Sequence, residues 1–160
     1  MRLFLSSFKK IHSFLFITLF ILLSGCASYS DKEIQEFDAL IKNYISENNL
    51  EMERLENGLY YKIKNEGKGE EYIKFTDKIT FIYKGYFLND ELFQEVSEDD
   101  PLKFKVSQLI AGWQDALSMV KNKGEIKVIM PPQLGYGKKN TGTIPPNSIL
   151  VYDLKVLEVN

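Results

Sequence analysis

Hydrophobic positions along the chain change their spacing near Gly58, from a helical period to the alternation that is typical of strands. Before that point, apolar residues recur at helical spacing over about 15 residues: Ile34, Phe37, Ile41, Tyr44 and Ile45. Ser30 and Glu33 have the spacing of a capping box, and the polar run 47–49 ends the pattern. The sequence therefore predicts one amphipathic helix that begins after Ser30. It packs on the domain or pairs with a second copy, and the sequence leaves both open.

Beyond Gly58 the pattern predicts strands separated by turn signals, after a short helical or irregular piece over 50–56. The predicted strands cover 59–63, 78–87, 103–106, 125–130 and 149–159. One internal amphipathic helix of about ten residues is predicted from the spacing of Leu109, Ile110, Trp113, Leu117 and Val120. We therefore expect an α+β fold, with an antiparallel sheet wrapped around one short helix and preceded by an N-terminal helix.

The first 25 residues have the order of a secretory signal, with three cations followed by the apolar run 14–23. That run is about ten residues long, whereas a bilayer crossing needs roughly 20. Residues 22–26 resemble the bacterial lipobox, which implies cleavage before Cys26 and acylation of its thiol. We expect three parts: a signal peptide over 1–25, a lipidated tether with its helix over 26–57, and a domain over 58–160.

This reading places the mature chain outside the cytoplasm, attached to a bacterial membrane through acylated Cys26. Two acyl chains already anchor a protein stably, since each buried CH₂ contributes about 0.8 kcal/mol. Ala27 and Ser28 follow the cysteine without an adjacent acid, which favours the outer membrane. We also expect a possible homodimer, formed through the N-terminal helix.

Charge and residue usage exclude several function classes for the mature chain. Without residues 1–25 it has 17 basic and 22 acidic residues, a net charge of −5, so nucleic-acid binding is not expected. The only histidine, His12, lies in the leader, which removes histidine-based catalysis and metal binding. The single cysteine excludes an internal disulfide. We expect neither a metal nor a cofactor.

A set of aromatic and aliphatic motifs runs through the domain in a specific order. It consists of 81–85 (FIYKG), Phe93, 101–104 (PLKF), 110–117 (IAGWQDAL), Gly124, 134–137 (LGYG), 144–147 (IPPN) and 150–153 (LVYD). In order and spacing it resembles the FKBP-type peptidyl-prolyl isomerases, in particular the bacterial cell-surface branch with an N-terminal helical extension. The resemblance covers residues 58–160. It implies isomerisation of X–Pro bonds in exported, proline-containing polypeptides.

The resemblance also implies a role for each pocket position. Trp113 is the floor under the prolyl ring, and Ile144 closes one side. The Ile110 N–H and the Tyr136 hydroxyl donate to substrate carbonyls. The walls are formed by Tyr83, Phe93, Phe104, Leu109 and Tyr152, of which Phe104 and Tyr152 also belong to the core.

Two substrate-binding positions depart from the family pattern. Gln94 stands where an aspartate usually accepts a hydrogen bond from the pocket tyrosine, and Leu102 stands where an aromatic residue is common. Exchanging a charged for a neutral hydrogen bond is worth ~1 kcal/mol, so we expect several-fold lower turnover. The alternative is a non-catalytic chaperone or binding module on the same fold. The intact Tyr83, Trp113 and Tyr136 favour the enzyme.

Overall fold

The computed structural model of the protein describes residues 28–160, and its first element is helix α1, Asp31–Glu47. The Ser30 hydroxyl accepts a hydrogen bond from the Glu33 N–H at 3.3 Å, and the Ser30 N–H donates to Glu33 Oε2 at 2.8 Å. The predicted helix and its capping box are therefore confirmed. The predicted signal peptide, residues 1–25, and the predicted lipidation site, Cys26, lie outside the described residues.

Strands dominate the rest of the chain. They are β1 Glu53–Arg54, β2 Tyr60–Asn65, β3 Lys68–Tyr72, β4 Lys78–Tyr86, β5 Leu92–Val96, β6 Leu102–Lys105, β7 Lys121–Asn122, β8 Glu125–Met130 and β9 Leu150–Val159. Helix α2, Ala111–Leu117, lies between β6 and β7. Across residues 28–160, neither helix has the length and hydrophobicity that a bilayer crossing requires.

The strands form an antiparallel sheet in the order β1-β2-β8-β9-β4-β5, and β6 also pairs with β4. Strands β4 and β9 are the longest, with 9 and 10 residues. They pair from Ile79 opposite Val159 to Tyr86 opposite Val151, with a bulge after Thr80. Strands β3 and β7 form a separate two-stranded sheet. The predicted α+β fold with an antiparallel sheet is confirmed.

The two faces of the sheet belong to two different hydrophobic clusters. Along β8 and β9, Val128 and Tyr152 pack in the cluster that contains α2, whereas their neighbours Ile129 and Val151 pack against α1. Successive strand residues point to opposite faces, so α2 covers one face and α1 covers part of the other. Helix α1 buries Ile41 completely in this contact. Of the two packings that the sequence left open, α1 therefore uses the one against its own domain.

One local expectation was wrong, and one open alternative is decided. Helix α2 is seven residues long, because the predicted start at Leu109 is extended backbone and Ile110 is the N-cap residue. Val120 lies beyond the helix, and its N–H donates to the Leu117 carbonyl. Of the two alternatives for 50–56, helical or irregular, the structure has the irregular one, with the two-residue strand β1 paired to the start of β2. Pairing with β2 thus determines the backbone at Glu53 and Arg54.

Candidate active site

Three aromatic rings from β4, α2 and β9 meet on the α2 side of the sheet. The ring centroid of Trp113 lies 4.7 Å from that of Tyr83 and 4.9 Å from that of Tyr152. Phe93, on β5, extends the group, with its centroid 5.7 Å from that of Tyr152. All three contacts are edge-to-face, the arrangement that aromatic quadrupoles favour. Trp113 is only 6% exposed and contacts both other rings, so it lies deep in the group together with Tyr152, which is 1% exposed.

A glycine on β4 allows these rings to close over the sheet. Gly85 lies opposite Tyr152 in the β4–β9 ladder. A Cβ atom at Gly85 would lie 2.6 Å from Phe93 Cζ and 2.8 Å from Tyr152 Cε1, closer than carbon atoms approach. The absence of a side chain at this position is therefore a steric requirement of the aromatic group.

Half-buried side chains surround the aromatic group and pack against the same core. They are Phe93, Leu102, Leu109, Ile110 and Tyr136, and they are joined by the buried Ile144. Leu102 enters from β6, where it lies opposite Phe81. Tyr136 and Ile144 come from the connection between β8 and β9. The structure thus brings most of the predicted pocket residues together in one place.

The extended residues before α2 are held by a side chain of the helix. Gln114 Nε2 donates to the Leu109 carbonyl at 2.7 Å. The Ile110 carbonyl accepts the N–H groups of Trp113 and Gln114 at 3.0 and 3.1 Å. Within residues 28–160 the Ile110 N–H has no hydrogen-bond partner. It is therefore available as a donor at the start of the helix.

Tyr83 and Tyr152 remain neutral at physiological pH. Burial, with a smaller contribution from Tyr136, raises the pKa of Tyr83 to about 12. Burial also raises the pKa of Tyr152, and the neighbouring hydroxyls of Tyr136 and Tyr83 raise it further. Among the described residues, no group of three or more acidic, histidine or cysteine side chains could hold a metal ion. The chemistry that this site offers is apolar surface with neutral hydroxyls and N–H groups.

Phe104 does not join the other predicted wall residues, and that expectation is corrected. It lies on β6 opposite Ile79, two residues beyond Leu102, and its side chain is 41% exposed. Strand β6 pairs with β4 alone, so its end leaves one side of Phe104 open to solvent. Gln94 is also exposed, at a position opposite Gly85.

Two residues of the site were missed by the sequence reasoning. The ring centroid of Phe87, which follows β4, lies 4.8 Å from that of Phe93, so it extends the aromatic group. The apolar run that ends before the turn at Asn89 was a usable signal for it. Gln114 gave no such signal, because a glutamine on a short helix resembles an ordinary solvated residue.

Comparison with known proteins agrees with this geometry. The family model of the FKBP-type peptidyl-prolyl cis-trans isomerase matches residues 69–157. A probable FKBP-type peptidyl-prolyl cis-trans isomerase of Haemophilus influenzae is 42% identical over 107 residues, which is 66% of this chain and 44% of that protein. FkpA of Escherichia coli K12, an FKBP-type isomerase by name, is 39% identical over 64% of this chain and 38% of its own. This chain thus spans less than half the length of these relatives.

Solved structures give the same result. The crystal structure of FkpA from Escherichia coli superposes with a TM-score of 0.69 at 34% identity, over 81% of this chain and 62% of that one. A peptidyl-prolyl cis-trans isomerase from Pseudomonas syringae has a TM-score of 0.67 at 17% identity, over 85% of this chain and 99% of that one, and shows the shared fold. Since the family model covers more than half of the residues, this chain belongs to the FKBP-type peptidyl-prolyl cis-trans isomerase family.

Proposed function

We propose that residues 58–160 catalyse cis-trans isomerisation of X–Pro bonds in proline-containing polypeptides. The observation that carries this proposal is the closed aromatic group with Trp113 at its bottom, surrounded by half-buried apolar side chains. Such a surface fits a prolyl ring, which is apolar and donates no hydrogen bond. Family membership supports the same activity.

The reaction needs no proton transfer and no covalent intermediate. Rotation about a peptide bond faces a barrier of ~18–20 kcal/mol, which arises from resonance in the planar amide. The planar form is more polar than the twisted form, so removing water from the imide raises the planar ground state relative to the twisted transition state. A ten-thousand-fold acceleration requires about 5.5 kcal/mol. Desolvation by the aromatic group, together with one or two hydrogen bonds, supplies an effect of this size.

Each residue of the site has one role in the proposed isomerisation. The prolyl ring lies on Trp113, between the rings of Tyr83 and Phe93. The unpartnered Ile110 N–H and the Tyr136 hydroxyl donate to substrate carbonyls, and both donors come from residues that border the aromatic group. The remaining apolar contacts exclude water, and they are made by Leu102, Leu109, Ile144 and Tyr152.

The test is a protease-coupled isomerisation assay on residues 27–160, with peptides that vary the residue before proline. We expect acceleration above the spontaneous rate, and loss of most of it in Trp113→Ala. Leu117→Ala is the matched control, because Leu117 is fully buried on the same helix and its truncation costs a similar 2–5 kcal/mol. A flat trace from a folded sample would refute the proposed activity.

A second candidate is a binding module that holds polypeptides without turnover. Gln94 favours it, because this exposed, neutral side chain stands at the position of the usual carboxylate. Within residues 28–160 the Tyr83 hydroxyl has no hydrogen-bond partner, which agrees with the missing acceptor. Suppression of client aggregation in the absence of rate acceleration would favour this candidate over the enzyme.

The proposal extends to location, clients and assembly. We propose that acyl chains on Cys26 attach the protein to the outer membrane, outside the cytoplasm, where it acts on exported polypeptides. Labelling of the wild type, but not of Cys26→Ser, with a palmitate analogue is the expected result.

A homodimer through α1 remains a prediction, and light scattering of the purified chain tests it. Ile41 of α1 packs against the domain, whereas Leu40 on the same helix is 54% exposed.

A further inference from the structure

The segment before α1 lies against the connection that carries Tyr136 and Ile144. We call residues 137–147 the late loop, and its two ends, Gly137 and Asn147, the loop neck. The Asn147 N–H donates to the Gly137 carbonyl at 2.8 Å, which closes the neck. Gly137 and Asn147 both have positive φ, +64° and +62°. The neck is therefore a tight turn-back that a non-glycine residue adopts only at a cost.

Tyr29 contacts both sides of this neck. Its hydroxyl donates to Asn147 Oδ1 at 2.7 Å. The Tyr29 hydroxyl oxygen also lies near Gly137, the other end of the neck, because it would be 3.9 Å from a Cβ atom placed on that glycine. Tyr29 and Tyr136 line one cleft beside the neck. The Tyr29 hydroxyl thus bonds the residue whose N–H closes the neck.

Further contacts keep Tyr29 in this position. Its ring packs edge-to-face on Phe37 of α1, with centroids 5.3 Å apart. Lys138 Nζ lies 4.7 Å from the centre of the Tyr29 ring and donates to the Ser28 carbonyl at 3.3 Å. Lys138 also lies 3.7 Å from the Glu33 carboxylate, the capping residue of α1. The segment 28–30 is therefore bound to the helix on one side and to the late loop on the other.

We infer that Tyr29 is a positioning residue for the prolyl pocket: by bonding Asn147 it closes the loop neck and so holds Tyr136 and Ile144 against the aromatic group. This inference rests on the proposed function of the pocket. It gives the segment between Cys26 and α1 a role in substrate binding. Tyr29 does not touch the substrate, and its effect passes through the backbone of the late loop.

The test uses Tyr29→Phe in the full chain, purified in detergent. This change removes one hydroxyl and keeps the ring between Phe37 and Lys138. Tyr61→Phe is the matched control, because the Tyr61 hydroxyl makes a comparable exposed hydrogen bond, at 2.8 Å, to Glu53 at the far edge of the sheet. Hydrogen exchange measures how often the backbone amides of the late loop open to solvent. The fluorescence of Trp113 measures binding of a tetrapeptide that contains Leu-Pro. Trp113 is the only tryptophan in the chain, so this signal comes from the pocket floor.

For Tyr29→Phe we expect amide exchange in the late loop to accelerate about 5-fold, the effect of one lost hydrogen bond. We expect the peptide Kd and KM to rise about 3-fold for the same reason while kcat stays within about 2-fold. Exchange in β8 and β9 should not change, and Tyr61→Phe should match the wild type throughout. Unchanged exchange in the late loop, or an unchanged peptide Kd, would overturn the inference. Late-loop exchange and the peptide Kd are measured without turnover. An inactive wild type would therefore refute the proposed isomerase, while these two measurements would still decide the role of Tyr29.

Discussion

The ring of Tyr83 on β4 contacts the indole of Trp113 on α2, with centroids 4.7 Å apart and planes at 67°. Edge-to-face contacts of this kind add about 0.5–1.5 kcal/mol beyond area burial. Both residues are 6% exposed, so the same contact joins helix to sheet and forms the bottom of the pocket. Removing either ring therefore alters folding and binding together. Removing a single hydroxyl at the edge of the pocket separates the two effects.

Tyr136→Phe should lower kcat/KM about 5-fold, because one hydrogen bond to the substrate contributes about 1 kcal/mol. The free energy of unfolding should change by less than about 0.5 kcal/mol, since Tyr136 is half-buried. The protease-coupled assay and urea unfolding measure the two quantities. Tyr72→Phe serves as the control, because Tyr72 lies on the small β3–β7 sheet and its hydroxyl donates to Glu66, which precedes β3. An unchanged kcat/KM in Tyr136→Phe would remove the hydroxyl from the mechanism.

Gln94→Asp should raise kcat/KM about 5-fold, because a charged acceptor strengthens a hydrogen bond by ~1 kcal/mol relative to a neutral one. Position 94 lies opposite Gly85, two residues along β4 from Tyr83, whose hydroxyl lacks an acceptor within residues 28–160. Gln94→Asn has the same shortened side chain without the charge and should show no gain. Equal rates for the two variants would mean that the carboxylate is dispensable here.

Ile41→Ala should destabilise the protein by about 2–5 kcal/mol, as expected for a fully buried isoleucine. Leu40→Ala, one residue earlier on α1, should cost less than about 0.5 kcal/mol because Leu40 is 54% exposed. Urea unfolding at two protein concentrations measures both variants. If α1 packed on a second copy instead, the stability of the wild type would depend on concentration, and this packing would be refuted.

Asp153→Asn should destabilise the protein by about 1 kcal/mol at pH 7, the upper range for a partly exposed ion pair. Burial acts to raise the pKa of Asp153, but Lys64 and Lys127 outweigh it and hold this pKa below the ordinary value of 3.8. A carboxyl with a lowered folded pKa stabilises the protein above its unfolded pKa, and this stabilisation disappears as the pH falls through the folded value.

The difference between wild type and Asp153→Asn should therefore be constant from pH 7 to pH 5 and decline below pH 3.8. Urea unfolding across this range measures it. Glu98→Gln is the control, because the Glu98 carboxylate also pairs with a lysine, Lys155, but the Glu98 side chain is 62% exposed. A difference that persisted undiminished at acidic pH would show that the carboxylate charge is not its source.

Local signals in the sequence predicted the elements whose formation depends on neighbours along the chain. The capping box at Ser30 and the apolar period of α1 are signals of this kind, and strand β8 has the predicted bounds 125–130. Strand β3 was not predicted, because all five of its residues are exposed and show no alternation. Its pairing with β7 is a contact between distant parts of the chain, which no local pattern encodes.

At the site, too, sequence motifs predicted some residues, whereas contacts between distant parts of the chain could not be predicted. The motifs around Trp113 and Tyr136 predicted most of the residues that the structure brings together, since the family resemblance relates them to one another in space. Phe104 was misplaced because the resemblance assigns roles by position in the motif and does not show where strand β6 leaves the core. The contact between Tyr29 and Asn147 joins residues 118 positions apart, so only the structure could show it.

The cap at Ser30 sets how far the domain extends from the proposed anchor. Ser30 lies four positions after Cys26, and an extended chain covers about 3.5 Å per residue, so the free span is about 14 Å at most. The contact between Lys138 and the Ser28 carbonyl shortens that span to about half. An anchored molecule would thus meet its clients within a thin layer above the lipid headgroups.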